Sequence, residues 1–316
     1  MTGEKLKPLV IGKSAHPRCF SKIKPEKLPV IYRNNKKAWM TSELMTEWLR
    51  MVDRQMKKQG RNILLFLDNA PAHPDVKLNN VKLVFLPPNT TSLSQPMDQG
   101  IIQALKLKYR SRQLSYIVSQ MERNDKVGSQ VLKEISILDA IYWINSSWKE
   151  VNQTTIQKCF AKCGFEQISD SDLVISECDD DDDDDEVPLA VLRMSHELFG
   201  CDYNELVELD KCVPTCDENN SAIDWDQSAC NLLTELASNK DDCDDECDDV
   251  DDCVRPETVI TMSEASVMLD KLKVLALSKG QDEWLDNIMN LQDKFVKCRV
   301  ETQCKQTRIH EFFERK

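Results

Sequence analysis

The sequence predicts an α/β fold in its first half, then a solvated acidic stretch and a helical pair. Three observations predict it. Short apolar runs alternate with amphipathic helical periods up to about residue 165. Charge is divided: residues 1–168 carry 27 Lys and Arg against 14 Asp and Glu, about +13, and the remainder carries 14 against 40, about −26. Sustained helical period is recovered over 262–298.

Taken in order, KLKPLVIG (5–12) reads as a strand stopped by Gly12, and LPVIY (28–32) as another. Thr41 or Ser42 offers an N-cap to a helix whose apolar set is Leu44, Met45, Trp48, Leu49 and Val52, ended by Gly60. Asn62–Leu67 reads as a buried strand, and Val81–Leu86 as a second, ended by Pro87 and Pro88. After the turn-rich PPNTTSLSQP a helix is expected from Pro96 to about 122, then helices at 130–148 and Gln153–Lys162, with Gly164 as a stop. This places a first domain at 1–168, an acidic, largely disordered linker at 169–256 with a short helix at 188–199, a helical hairpin at 257–298, and a tail at 299–316.

No window of eighteen apolar residues exists, so no membrane span is expected. Thirteen cysteines without a regular framework read as reduced thiols of cytosol or nucleus. Cys212, Cys216, Cys243, Cys247 and Cys253 have neither a nearby histidine nor a paired C-x-x-C, which argues against zinc. The runs at 179–185 and 241–252 read as solvating linker or as surfaces for basic proteins. Seven consecutive aspartates lack the spacing of a calcium loop.

The stretch ILLFLDNAPAHP (63–74) sets one carboxylate, Asp68, at the tip of an apolar strand, a common way to hold a metal-binding acid rigidly. Asp98 supplies a second, in a turn before a helix. Two such acids suit magnesium, although a two-metal phosphoryl-transfer site generally needs a third. The alternatives stay open: Asp68 can cap its own turn, Asp98 can cap its helix, and His73 can be a turn histidine or a ligand.

LDNAPAH (67–73), VFLPPNTTSLSQPMDQGI (84–101) and KLKYR (106–110) resemble the DDE-1 transposase domain of the pogo/Tigger group, which includes the Tigger-derived, Jerky-type and centromere protein B proteins. GEKLKPLVIGKSAHPRCF (3–20), NNKKAWMTSELMTEWL (34–49) and WKEVNQTTIQKCFAKCGF (148–165) extend the resemblance in the same order. It implies an RNase H-like mixed sheet with flanking helices and metal-dependent (Mg or Mn) DNA strand cleavage and transfer. Asp68 falls on the family's second catalytic aspartate and Asp98 on its third. The first lies upstream of the matching segment, so the resemblance implies an incomplete domain lacking that strand, its acid and the helix-turn-helix domains. Glu4, Glu26, Glu43 and Glu47 are the acids before Asp53; Glu43 and Glu47 lie at i,i+4 spacing on a helix, the pattern of a solvated face, and the four are poor substitutes.

The expected function is therefore a domesticated, nuclear, DNA-binding protein without cleavage activity; the alternative is an active endonuclease whose upstream segment is missing. Lys106, Lys108, Arg110 and Arg112 are the phosphate-binding candidates, giving weak, sequence-independent contact. In the tail, Gln306, Ile309, Phe312 and Phe313 resemble the peptide that docks on the sliding clamp, proliferating cell nuclear antigen.

Overall fold

A computed structural model describes residues 3–88, 90–124, 126–165, 187–209 and 262–303. The acidic runs, the cysteines from Cys212 to Cys253 and the clamp-type residues Gln306, Ile309, Phe312 and Phe313 lie outside the described residues. Two compact units are present, one built from residues up to 110 with 136–165, the other from 111–135, 187–209 and 262–303.

The first unit holds two separate two-stranded parallel sheets. In one, β1 (Leu9–Gly12) pairs with β2 (Ile31–Asn34), starting at Leu9 against Ile31. The chain between them makes two single turns and buries Phe20, Leu28 and Val30. Gly12 is required by packing, because a Cβ there would run into the Tyr32 hydroxyl, which donates to the Ser14 carbonyl at 2.7 Å.

In the other sheet, β3 (Ile63–Leu67) pairs with β4 (Val81–Phe85) in register from Ile63 against Val81. Helix α1 (Ser42–Gln59) covers one face of it. Its buried residues Met45, Leu49, Val52 and Met56 repeat at helical spacing and pack on Leu65, Leu67, Val81 and Leu83. Thr41 caps the helix, its hydroxyl accepting the Leu44 N–H, and left-handed Gly60 ends it. Asp53 then fixes the neighbouring strand: its Oδ1 accepts the N–H groups of Asn79, Asn80 and Val81 at 3.0, 2.6 and 3.1 Å. On the second face Phe66 meets Phe165, centroids 4.4 Å apart, but Leu64 remains 57% exposed. The strand read as buried is thus covered mainly on one face. The two-sheet arrangement is a mixed α/β one, consistent with part of an RNase H-like fold.

A short helix α2 (Thr91–Ser94) and a π turn, Met97–Ile101, lead into α3 (Ile102–Asn124). The single helix expected at 130–148 is two, α4 (Gly128–Glu134) and α5 (Ile137–Glu150). Ser136 breaks it with a capping box: its hydroxyl accepts the Asp139 N–H while Asp139 Oδ2 accepts the Ser136 N–H. Helix α6 (Gln153–Lys162) packs Ile156 and Cys159 against Ile101 and Val151. Lys5 closes the unit, its ammonium donating to the carbonyls of Trp148, Lys149 and Val151 at 2.7, 2.8 and 2.7 Å at the negative end of α5. Trp148 returns an indole N–H to the Leu6 carbonyl at 2.8 Å.

The second unit contains α7 (Leu189–Phe199), α8 (Tyr203–Glu208), α9 (Met262–Lys279) and α10 (Asp282–Gln303). Gly280 and Gln281 join α9 to α10, and Leu269, Ala276, Leu285 and Met289 are buried on them.

Candidate active site

Asp68 follows the last residue of β3, and its backbone is fixed on both sides of the strand end. The Leu86 N–H donates to the Leu67 carbonyl at 2.8 Å, and the Asn69 amide donates to the Leu86 carbonyl at 2.6 Å. Asp68 Oδ1 accepts the Ala70 N–H at 3.2 Å, the turn-capping arrangement available to any such aspartate. The turn carries His73 back over the carboxylate, with Nδ1 2.6 Å from Asp68 Oδ1 and 3.2 Å from the Asp68 carbonyl. A proton on Nδ1 makes the imidazole a donor to Asp68, leaving Nε2 as the open ring nitrogen. These side chains are 26% and 21% exposed, so the pair borders solvent.

Asp98 arrives differently. It lies in the π turn, where Gly100 takes φ 141°, a conformation L side chains avoid. A Cβ at Gly100 would sit 3.3 Å from the Cys159 sulfur, and the Ile101 N–H reaches that thiol. Burial pushes the Cys159 thiol up from its ordinary pKa, with the neighbouring Cys163 adding to it. The turn is thereby seated on α6. Just upstream, Gln95 Oε1 is buried with no hydrogen-bond donor, an unmet acceptor in the segment that delivers Asp98.

The two acids feel each other. Partial desolvation first, and the Asp68 charge second, push the Asp98 carboxyl above the ordinary carboxylate range, while Lys106 opposes the rise. Asp98 is largely solvent-exposed, so water screens these effects and their energy is small. Mutual repulsion between two carboxylates is what a hard cation relieves, and magnesium takes one or two protein carboxylates with water completing its shell. Asp68 and Asp98 are the carboxylates that would share one such ion. They do not fit a pair, because among the described residues no group of three His, Cys, Asp or Glu converges to hold metal. Two of the upstream acids are engaged elsewhere: Glu47 takes a forked hydrogen bond from Arg33 at 3.0 and 3.1 Å, and Glu4 pairs with Arg61 at 2.7 Å.

Of the cationic candidates, Lys106, Lys108 and Arg110 are half-buried on the first turns of α3, and Lys106 lies within the field of Asp98. Arg112 is committed: its Nε donates to Asp293 Oδ2 at 2.8 Å with 11% of its side chain exposed. Residues 112 and 293 lie far apart in sequence, and no local pattern announces that partner. The Asp68–His73 contact and the Lys106 field were likewise not deduced from sequence. Among the described residues no helix is long and apolar enough to cross a membrane.

Comparison with known proteins places the first half of the chain in a family. The family described as DDE superfamily endonuclease matches residues 1–160, half of the chain. Tigger transposable element-derived protein 4 of Mus musculus is 37% identical over 163 residues, covering 51% of this chain and 30% of its own length. Tigger transposable element-derived protein 7 of Homo sapiens is 36% identical over 180 residues, 48% and 32% of the two chains. The Major centromere autoantigen B of Homo sapiens is 32% identical over 164 residues, 51% and 26%. The matched segment thus spans a third or less of each of these relatives, and no solved structure matches the chain. With the family matched from the first strand through α6, and with Asp68 and Asp98 gathered as above, the chain belongs to the DDE superfamily endonucleases, in the Tigger and centromere-protein-B group.

Proposed function

We propose that this chain is a transposase-derived nuclear protein that binds DNA weakly and without sequence preference, and that the segment present does not cleave it. The observation that carries the reading is the composition of the site: two carboxylates, one already engaged by His73, with Lys106 beside the other. Such a site holds one phosphate-bound cation more readily than it drives two-metal strand cleavage, where a third acid is needed to neutralise the ions. Lys106, Lys108 and Arg110 supply the phosphate contacts; Arg112 is left to its ion pair with Asp293.

Fluorescence anisotropy with unrelated duplexes tests this. Three phosphate contacts give a log–log salt slope near −2.7, about fortyfold weaker binding between 50 and 200 mM salt. Lys106→Glu with Lys108→Glu should flatten that slope for every duplex. Binding that is insensitive to salt, or confined to one sequence, overturns the reading.

A second reading, an active metal-dependent endonuclease, is favoured by the electrostatic coupling of Asp68 to Asp98. Plasmid nicking in magnesium or manganese that vanishes in Asp68→Ala would establish it. A further element of the proposal is the tail: Gln306, Ile309, Phe312 and Phe313 form a sliding-clamp peptide, in keeping with a nuclear protein at replicating DNA. Calorimetry against the clamp should show binding that is lost when Ile309, Phe312 and Phe313 become alanine. The acidic runs are assigned to basic partners such as histones.

A further inference from the structure

The turn after β3 is built to return His73 to Asp68. Residues 70–73 close a reverse turn in which the His73 N–H donates to the Ala70 carbonyl at 2.9 Å. Pro71 presets the backbone at the position such turns favour. The Ser42 hydroxyl, on the first residue of α1, donates to the Pro71 carbonyl at 3.1 Å and ties the turn to the helix that covers the sheet. Pro74 follows at once and restricts the backbone of His73 as well. The place of the imidazole is therefore set by the main chain and by α1, and not by the carboxylate alone.

Two donors then converge on one carboxylate oxygen. Asp68 Oδ1 accepts the Ala70 N–H at 3.2 Å and lies 2.6 Å from His73 Nδ1. Nδ1 is also 3.2 Å from the Asp68 carbonyl oxygen, so both of its neighbours are acceptors and the proton belongs on this nitrogen. Among the described residues no hydrogen bond reaches Asp68 Oδ2. The carboxylate is held by one oxygen and offers the other. A neutral imidazole suits this task better than Lys or Arg would. It donates without a full positive charge, so it steadies the carboxylate without repelling a cation beside it. Fixing the carboxylate beforehand also removes the cost of ordering it when a cation binds.

We infer that His73 is a positioning residue: with the Ala70 N–H it fixes Asp68 so that Oδ2 alone is presented to a cation. This role rests on the reading that Asp68 and Asp98 share one cation. Manganese(II) added to the full chain, isotope-labelled at its alanine methyl groups, tests both. Paramagnetic broadening of the Ala70 methyl signal reports an ion at Asp68 itself, because the effect falls off steeply with distance. Broadening is expected in the unaltered chain and should be lost in Asp68→Ala. His73→Ala should raise the manganese concentration needed by roughly ten- to a hundredfold. His73→Asn, whose amide nitrogen can donate from nearly the same place as Nδ1, should recover most of that loss, which a packing role for the ring would not give. Circular dichroism checks that each variant keeps its fold. No broadening in the unaltered chain, or broadening that survives Asp68→Ala, overturns the shared-cation reading and this role with it. Broadening that needs Asp68 yet ignores His73→Ala, or a loss that His73→Asn does not recover, overturns the role of His73 alone.

Discussion

Asp68 stands at the end of a paired strand, with hydrogen bonds on both sides of it and an imidazole on its carboxylate. Asp98 stands in a π turn whose shape depends on one glycine and on the thiol beneath it. The first is positioned by regular structure and the second by an irregular turn, yet both must hold their carboxylates steady for the pair to act as a unit. Regular structure spreads its support over many weak bonds, whereas the turn concentrates it in one backbone conformation. The two platforms should therefore fail differently.

Gly100→Val should have the largest effect. It combines a disallowed φ with a crowded contact on Cys159, and a loss of about 3 kcal/mol is expected in urea unfolding. A loss below about 0.5 kcal/mol would mean that the turn is not held by its glycine. Asp53→Ala comes next: it strips the acceptor from three N–H groups at the start of β4, and about 2 kcal/mol is expected from the same measurement. Asn69→Ala removes one bond between the ends of β3 and β4 and should cost about 1 kcal/mol; if it costs as much as Gly100→Val, the contrast between distributed and concentrated support is wrong.

The smallest effects are electrostatic. Asp68→Asn should move the Asp98 carboxyl back toward its ordinary pKa in an NMR titration; no movement would show that the two do not interact. The sign for stability follows. A carboxyl whose folded pKa is raised binds its proton more tightly when folded, so its stabilising contribution is present in acid. That contribution is lost as pH rises through the unfolded and then the folded value. At neutral pH the ionised Asp98 is a slight burden, and Asp98→Asn should raise Tm a little at pH 7 while leaving it unchanged in acid.

Much of this was legible from local pattern. Thr41, the spaced apolar set and Gly60 define α1 because capping and amphipathicity act within a few residues. The same holds for the limits of α6 and for the two strands that frame Asp68. Ser136 with Asp139 was equally local, a capping box inside what otherwise reads as one helical period, and the period masked it. Other features depend on distant chain. Exposure of Leu64 is decided by what fails to cover the second face of β3, and the Arg112–Asp293 pair by a partner 181 residues away. The acids of the site could be named from sequence because strand ends and turns are local; their coupling to each other and to Lys106 is spatial.

Lys5 has a consequence in time as well as in space. Its bonds reach a carbonyl 143 residues downstream, so the start of the domain cannot be locked until the end of α5 has left the ribosome. At a synthesis rate of roughly 5–20 residues per second, Lys5 waits about 7–29 s for that partner. During that interval Lys5 and the Leu6 carbonyl lack the partners that seat their segment, so a holdase chaperone would find it open.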